Sequence, residues 1–268
     1  MAKKMLEGKV AIITGAASGI GEAAARLFAA QGAFVVIADI QDQLGLAVAA
    51  SIGPGRSSYR HCDVTDEEQV ESAVAHAVSA RGRLDIMYSN AGVMGPAAGV
   101  VDLDKAEFDR AMAVNVGGAA LAIKHAARAM LAGGVRGAIV CTASATGHQA
   151  GLGPAAYTAS KHALVGLVRA AAGELGSGGI RVNCVSPFGV ATPMSCGLNG
   201  LTPEMLEATS CRLSNLKGTV LKASHVAEAA LFLASDQSVY VSGHDLLVDG
   251  GSTVVYAGLQ QLIGSSRL

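Results

Sequence analysis

Seven short β-branched apolar runs alternate along this 268-residue chain with longer alanine-rich segments. The runs are KVAIIT (9–14), FVVIAD (34–39), SYRHCDV (58–64), LDIMYSN (84–90), GAIVCT (137–142), IRVNCVS (180–186) and HDLLVDGG (244–251). Between them lie segments such as IGEAAARLFAAQG and EEQVESAVAHAVSARG, whose apolar residues recur at helical spacing and which close on glycine, the common helix stop. Strands that are apolar throughout, rather than alternating, suit a parallel sheet covered on both faces. The order predicts an α/β fold: a doubly wound parallel sheet of about seven strands with helices on both faces.

No proline- or serine-rich linker, fixed-period repeat or low-complexity tract divides the chain, so residues 1–268 read as a single domain. One long irregular stretch, 188–223, is the length of a lid or binding element, and its PEMLEATSCRL piece favours a helix. An apolar tail, 252–268, carries Val254, Val255, Tyr256, Leu259, Leu262 and Ile263 and is expected to bury itself on its own subunit or on a neighbour. A net charge of −1 gives no bulk attraction for nucleic acid or anionic lipid. The N-terminal apolar run is too short for a signal segment and no run of about 18 apolar residues follows, so no membrane span is expected and the chain reads as cytoplasmic. Five cysteines, Cys62, Cys141, Cys184, Cys196 and Cys211, show neither CxxC pairing nor metal-ligand spacing, so neither a disulfide framework nor a metal site is expected.

The first strand runs into TGAASGIG, which places Gly15, Ser18, Gly19, Ile20 and Gly21 at a strand-to-helix turn. Glycines there let the backbone approach a pyrophosphate, and the helix start offers unpaired N–H groups. The spacing is GxxxGxG rather than GxGxxG, and taken alone it also suits an ordinary turn. Asp39 ends the second run, followed by Ile40, at the distance where a carboxylate accepts hydrogen bonds from an adenosine ribose; the other reading is a cap on the next helix. A 2′-phosphate would be repelled there, and no Lys or Arg lies between Gly15 and Gly21, which points to NAD rather than NADP. Asp63 with Val64, and Asn90-Ala91-Gly92, close two further runs at the sheet end where ligands bind in such folds, in positions that turn chemistry alone also favours.

Tyr157 and Lys161 are four residues apart on one expected helix face, and Ser144 closes the fifth run at the cofactor end of the sheet. An ammonium about 4 Å from a phenol, at an effective dielectric near 20, contributes roughly 4 kcal/mol, or about three pKa units. Such a tyrosinate can remove the proton of a substrate hydroxyl, and the serine hydroxyl can hold the substrate oxygen. Residue by residue, a surface Tyr–Lys pair and a strand-end serine remain the plain alternative.

TGAASGIG, Asp39, SNAG, Asn115, Ser144, YTASK and SPFGVAT occur in the order found in the short-chain dehydrogenase/reductase family, which the chain resembles over nearly its whole length. HCDVT, IKHAARAM, GELGSGGIRVNCVSP, NLKG and HVAEAALFLASD resemble its plant specialised-metabolism branch. The resemblance implies a Rossmann-type NAD-binding domain with an Asn115–Ser144–Tyr157–Lys161 centre, Asn115 holding Lys161 and a relay water, and Lys161 also binding the nicotinamide ribose. It further implies nicotinamide contacts at Val190 and Thr192 after Pro187, a homotetramer, and NAD-dependent oxidation of secondary alcohols of terpenoids or phenolics. A carbonyl or 3-oxoacyl reductase and a non-catalytic nucleotide sensor are the alternatives. Ser89 stands where the family commonly has a second Asn, and Phe188 occupies the usual proline-glycine turn. The partner is expected to be a hydrophobic alcohol or ketone, with Met94, Thr146, His148, Gln149, Leu152, Phe188, Met194 and Leu198 lining its site and His148 and Gln149 as polar anchors.

Overall fold

The computed structural model describes residues 4–197 and 200–255. Seven strands, β1 (Val10–Thr14), β2 (Phe34–Asp39), β3 (Ser57–His61), β4 (Ile86–Ser89), β5 (Ala138–Thr142), β6 (Arg181–Pro187) and β7 (Asp245–Val248), form one parallel sheet in the order β3-β2-β1-β4-β5-β6-β7. The third run stops at His61, short of the expected Val64. Cys62 N–H still donates to the Asp39 carbonyl before the chain turns toward the next helix.

The nine helices among the described residues are α1 (Gly19–Ala30), α2 (Asp42–Ile52), α3 (Glu67–Arg81), α4 (Lys105–Met112), α5 (Gly118–Ala132), α6 (Ala155–Leu175), α7 (Pro193–Gly197), α8 (Pro203–Leu213) and α9 (Ala223–Ala234). Side chains on a strand point alternately to opposite faces, and β1 shows the result. Ile12 packs with α3, α5 and α6, whereas Ala11 and Ile13 pack with α1 and α9. Both faces are covered at the sheet centre, which is why β1 (VAIIT) and β5 (AIVCT) are almost wholly apolar, whereas the edge strand β3 (SSYRH) is not. α1 buries Gly21, Ala24, Ala25, Phe28 and Ala29, one stripe at helical spacing, and the Phe28 ring stacks on Tyr88 of β4 at 6.2 Å. Burying a side chain of that size contributes about 1.5–3 kcal/mol.

Helix ends follow local chemistry. The Asp66 carboxylate accepts from the Glu68 and Gln69 N–H groups at the start of α3, and Gly82 ends it in the left-handed conformation. The 188–223 stretch holds α7 and α8, the second coinciding with PEMLEATSCRL and capped by the Thr202 hydroxyl. Among the described residues no helix is long and apolar enough to cross a membrane. Leu198 and the tail residues Tyr256, Leu259, Leu262 and Ile263 lie outside the described residues.

Candidate active site

Strand order reverses between β1 and β4, and the cleft of a doubly wound sheet opens at that switch, beyond the carboxyl ends of the strands. A cleft of about 360 Å³ lies there. It is lined by Gly15, Ser18, Gly19 and Ile20 from the first turn, Asp39 and Ile40 after β2, Asp63 and Val64 after β3, and Asn90, Ala91 and Gly92 after β4. Tyr157 and Lys161 of α6, with Thr192 and Met194 from the segment after β6, complete the part expected from sequence.

Asn90 ties the switch together. Its Nδ2 donates to the Thr14 and Gly15 carbonyls at 3.1 and 3.2 Å, and its backbone N–H donates to Thr14 Oγ1 at 3.0 Å. Thr142 Oγ1 donates to Asn90 Oδ1 at 2.9 Å, while the Thr142 carbonyl accepts from Lys161 Nζ at 2.8 Å. One chain of hydrogen bonds therefore joins the glycine turn to α6.

Gly15 and Gly19 have φ values of +63° and +58°, a region that penalises any side chain, and a β-carbon on Gly19 would press on Thr192 across the cleft at 3.1 Å. Ser18 precedes α1 without capping it through its side chain. The buried Asp39 carboxylate accepts from Ala17 N–H at 2.9 Å and from Gln41 N–H at 3.0 Å, bracing the two turns that flank the cleft. The N-cap of α2 is Gln41, so Asp39 is not its cap residue.

Ser144, Tyr157 and Lys161 are all buried, and Lys161 Nζ lies 5.3 Å from the Tyr157 ring centre. Burial pushes the Tyr157 phenol up to about 12, opposed by a hydrogen bond from Ser144. Burial pushes the Lys161 amine down to about 8. The expected lowering of the phenol by the lysine is thus reversed. Both groups lose water, and desolvation is the largest influence on each.

Asn115 sits in a π-helical turn, Ala113–Gly117, between α4 and α5. Its Oδ1 accepts from Val93 N–H at 2.8 Å, and its Nδ2 donates to the Val93 carbonyl and to Ser160 Oγ, each at 2.9 Å. It reaches the lysine's helix through Ser160, whereas Lys161 itself is held by Thr142.

Other expected residues lie off this cleft. Gly21 is buried behind it, while Pro187 belongs to β6 and the buried Val190 carbonyl accepts from Ser195 Oγ at 2.6 Å. Met94, Leu152 and the buried Thr146 do not line it, and Gln149 is exposed. Phe188 lines a separate cavity with Ser210, Leu221 and Asp249. His148 is drawn to the sheet edge, its Nε2 lying 2.5 Å from the buried Asp245 carboxylate, which also accepts from Ser186 Oγ. Gln41, Thr65, Val93, Arg110, Val114 and Thr142 line the cleft without having been singled out. Thr142, two residues before Ser144 at a strand end, and Arg110 and Val114, near Asn115 in sequence, were the findable ones. Among the described residues no group of three or more His, Cys, Asp or Glu side chains is placed to hold a metal ion.

Residues 15–253 match the family described as enoyl-(acyl carrier protein) reductase. Short-chain dehydrogenase reductase 3b of Arabidopsis thaliana is 56% identical over 95% of this chain and 99% of its own. Momilactone A synthase of Oryza sativa subsp. japonica is 55% identical, over 94% of this chain and 92% of its own. The (−)-isopiperitenol/(−)-carveol dehydrogenase of Mentha piperita is 52% identical, over 92% and 94% respectively. The crystal structure of a short-chain type dehydrogenase/reductase from Mycobacterium marinum superposes with a TM-score of 0.87 at 34% identity, covering 94% of this chain and 98% of that one. Shared sequence and overall fold lead to one conclusion: the chain belongs to the short-chain dehydrogenase/reductase family, beside its plant specialised-metabolism members.

Proposed function

We propose that this oxidoreductase converts a secondary alcohol on a hydrophobic substrate, a terpenoid or a phenolic, to the ketone, with NAD as acceptor and Tyr157 as general base. The observation that carries the reading is the shared burial of Ser144, Tyr157 and Lys161, with Lys161 Nζ 5.3 Å from the Tyr157 ring centre, in the same region as a cleft that also holds Asp39. A relative named as an isopiperitenol and carveol dehydrogenase supports alcohol oxidation on an apolar substrate.

The family typically uses NAD or NADP, and the residues present fit such a group. Gly15 and Gly19 let the turn pass Ala91 and Thr192 where a β-carbon would lie 2.8 and 3.1 Å from them, and Ser18 to Ile20 at the start of α1 would receive a pyrophosphate. Asp39 lines the cleft, where its carboxylate would accept from ribose hydroxyls and would disfavour a 2′-phosphate. Asp63 and Val64, with Asn90 to Gly92, line the cleft where they would hold the adenosine part, and Thr192 would hold the nicotinamide part. When bound, the dinucleotide supplies the carbon that accepts hydride from the substrate.

Tyr157, as phenolate, takes the proton of the substrate hydroxyl while the carbinol C–H electron pair departs as hydride and the C=O bond forms. The single Ser144 O–H donates to the phenolate, which opposes the cost of burying that charge, and turns to the substrate oxygen once substrate is bound. Lys161, anchored on the Thr142 carbonyl, supplies the neighbouring positive charge and a donor for a ribose hydroxyl. Asn115 positions α6 through Ser160. Met194 lines the cleft and offers the substrate an apolar surface. The reading includes a cytoplasmic homotetramer, checked by cell fractionation and sedimentation velocity.

One observation favours the reverse direction as a second reading. A phenol titrating at about 12 is protonated at neutral pH and can donate to a carbonyl oxygen as it becomes an alkoxide. A screen of cyclic terpenoid and sterol alcohols with NAD and NADP, and of the matching ketones with NADH and NADPH, separates the two. NADH formation from an alcohol is the expected result; strong NADPH preference with ketone reduction would replace the first reading with the second.

A further inference from the structure

A second cavity, of about 330 Å³, opens at the other end of the sheet. Lys9 and Val10 at the start of β1, Phe34 at the start of β2, Arg56 before β3, and Arg81 and Arg83 ahead of β4 line it. The Gly-rich turn, Asp39 and Tyr157 all lie beyond the opposite strand ends, so the two sites are separated by the length of the sheet.

Its charge is out of proportion to the chain. Five of the twenty Lys and Arg residues, Lys4, Lys9, Arg56, Arg81 and Arg83, converge on this cavity in a protein of net charge −1. Two of the five are answered by carboxylates: Arg83 forks onto the buried Asp85, with Nη2 to Oδ1 at 2.6 Å, and Lys9 lies 3.5 Å from Asp236. Lys4, Arg56 and Arg81 make no ion pair among the described residues. Arg56 donates to the Ala29 carbonyl at 3.3 Å and Arg81 to the Gly55 carbonyl at 3.4 Å, both long bonds that leave most guanidinium donors unused. Glu7 is the one acidic residue lining the cavity, so a surplus of two positive charges remains among these four side chains.

Arg81 is also held in place. Its guanidinium carbon stacks 3.8 Å above the Phe34 ring centre. A stacked guanidinium is fixed in plane while its N–H edge stays available, an arrangement suited to forked recognition of a phosphate. Cations gathered without counter-charge repel one another, and a multivalent anion relieves that repulsion at several points at once.

We propose that this cavity is a binding site for a compact multivalent phosphate of the pyrophosphate class, separate from the dinucleotide cleft, with Arg56 and Arg81 as its principal donors and Lys4 at the rim. The volume admits a small phosphate compound or the diphosphate end of a larger one, and the probe for the shared chemistry is inorganic pyrophosphate. Geranyl diphosphate as a second titrant distinguishes a free phosphate from the head of a prenyl compound.

The test is calorimetric titration of the full chain with pyrophosphate at low ionic strength, for wild type and for Arg56→Gln/Arg81→Gln. Thermal unfolding and NADH fluorescence titration establish that the variant keeps its fold and its other cleft. The expected result is at least tenfold weaker pyrophosphate binding in the double variant, with binding to wild type undisplaced by excess NAD. A control, Lys105→Gln/Arg128→Gln, removes two cations elsewhere and should stay within twofold of wild type. Equal affinity in the wild type and the Arg56/Arg81 variant, or an equal loss in the control, would overturn the proposal. These comparisons read the far cavity even in a protein that binds no NAD, so the proposal and the cofactor reading fail separately.

Discussion

A β-carbon on Gly21 would lie 2.1 Å from the Gly15 carbonyl oxygen and 2.7 Å from Asn90 Nδ2. The third glycine of the turn is therefore fixed by the packing of α1 against the end of β1, behind the cleft rather than at its lining. Gly21→Ala should destabilise the fold by about 1–3 kcal/mol through overpacking. It should also weaken NADH binding, because Asn90 can no longer hold the turn. Thermal melts and fluorescence titration check both effects, and an unchanged melt would mean that the turn yields freely.

Asp39 braces two turns as an acceptor, so a test of its charge should preserve that geometry. In Asp39→Asn, the preference for NAD over NADP in kcat/KM should fall at least tenfold, as the repulsion of a 2′-phosphate is lost. Steady-state rates with both nucleotides give the ratio. An unchanged ratio would remove Asp39 from cofactor choice.

Lys161 titrates at about 8 when folded, against 10.5 for a free lysine. Between those values the unfolded chain binds more protons than the folded one, so this residue makes stability rise with pH from about 8 to 10.5. Below pH 8 the cost of the buried charge is fully present, about 3 kcal/mol for such a shift. Lys161→Met removes that cost but orphans the Thr142 carbonyl, worth about 1 kcal/mol. The variant should be about 2 kcal/mol more stable than wild type at pH 7, inactive, and closer to wild type by pH 10, as read from urea unfolding at several pH values.

The Asp245 side chain is shielded from solvent at the start of β7, where it holds both Ser186 and His148. Asp245→Asn weakens the contact to the loop between Ser144 and Tyr157. Substrate KM should rise about fivefold or more, with kcat less affected, and the melt should drop by an amount equivalent to about 1–3 kcal/mol. A fall in kcat alone would place the effect on chemistry rather than on the loop.

The parallel sheet was legible because strands buried on both faces must be apolar throughout, as in VAIIT and FVVIA, and because Gly82 and the α1 glycines mark helix ends. The cofactor turns were legible for a related reason: Asp39, Asn90 and Gly92 stand at strand ends, and strand ends are set by the same pattern. Long-range pairing was not legible. Nothing local in SATGHQ says that His148 meets Asp245, 97 residues on, or that Phe188 turns into a different cavity from Thr192. The balance of electrostatics was hidden as well. The i,i+4 spacing brought Tyr157 and Lys161 together, but their titration depends on how much water the fold removes, which spacing does not encode.

The central claim is that Tyr157 is the proton acceptor in alcohol oxidation, and the pH dependence of kcat/KM in wild type and Tyr157→Phe tests it most directly. With the phenol lying far above neutral pH, the oxidation rate of wild type should climb with pH across the neutral and mildly alkaline range. Tyr157→Phe should lose about 10²- to 10⁴-fold in rate and the pH dependence with it, while binding NADH normally. A Tyr157→Phe enzyme that keeps turnover within a few fold of wild type, with the same rise, would contradict the account.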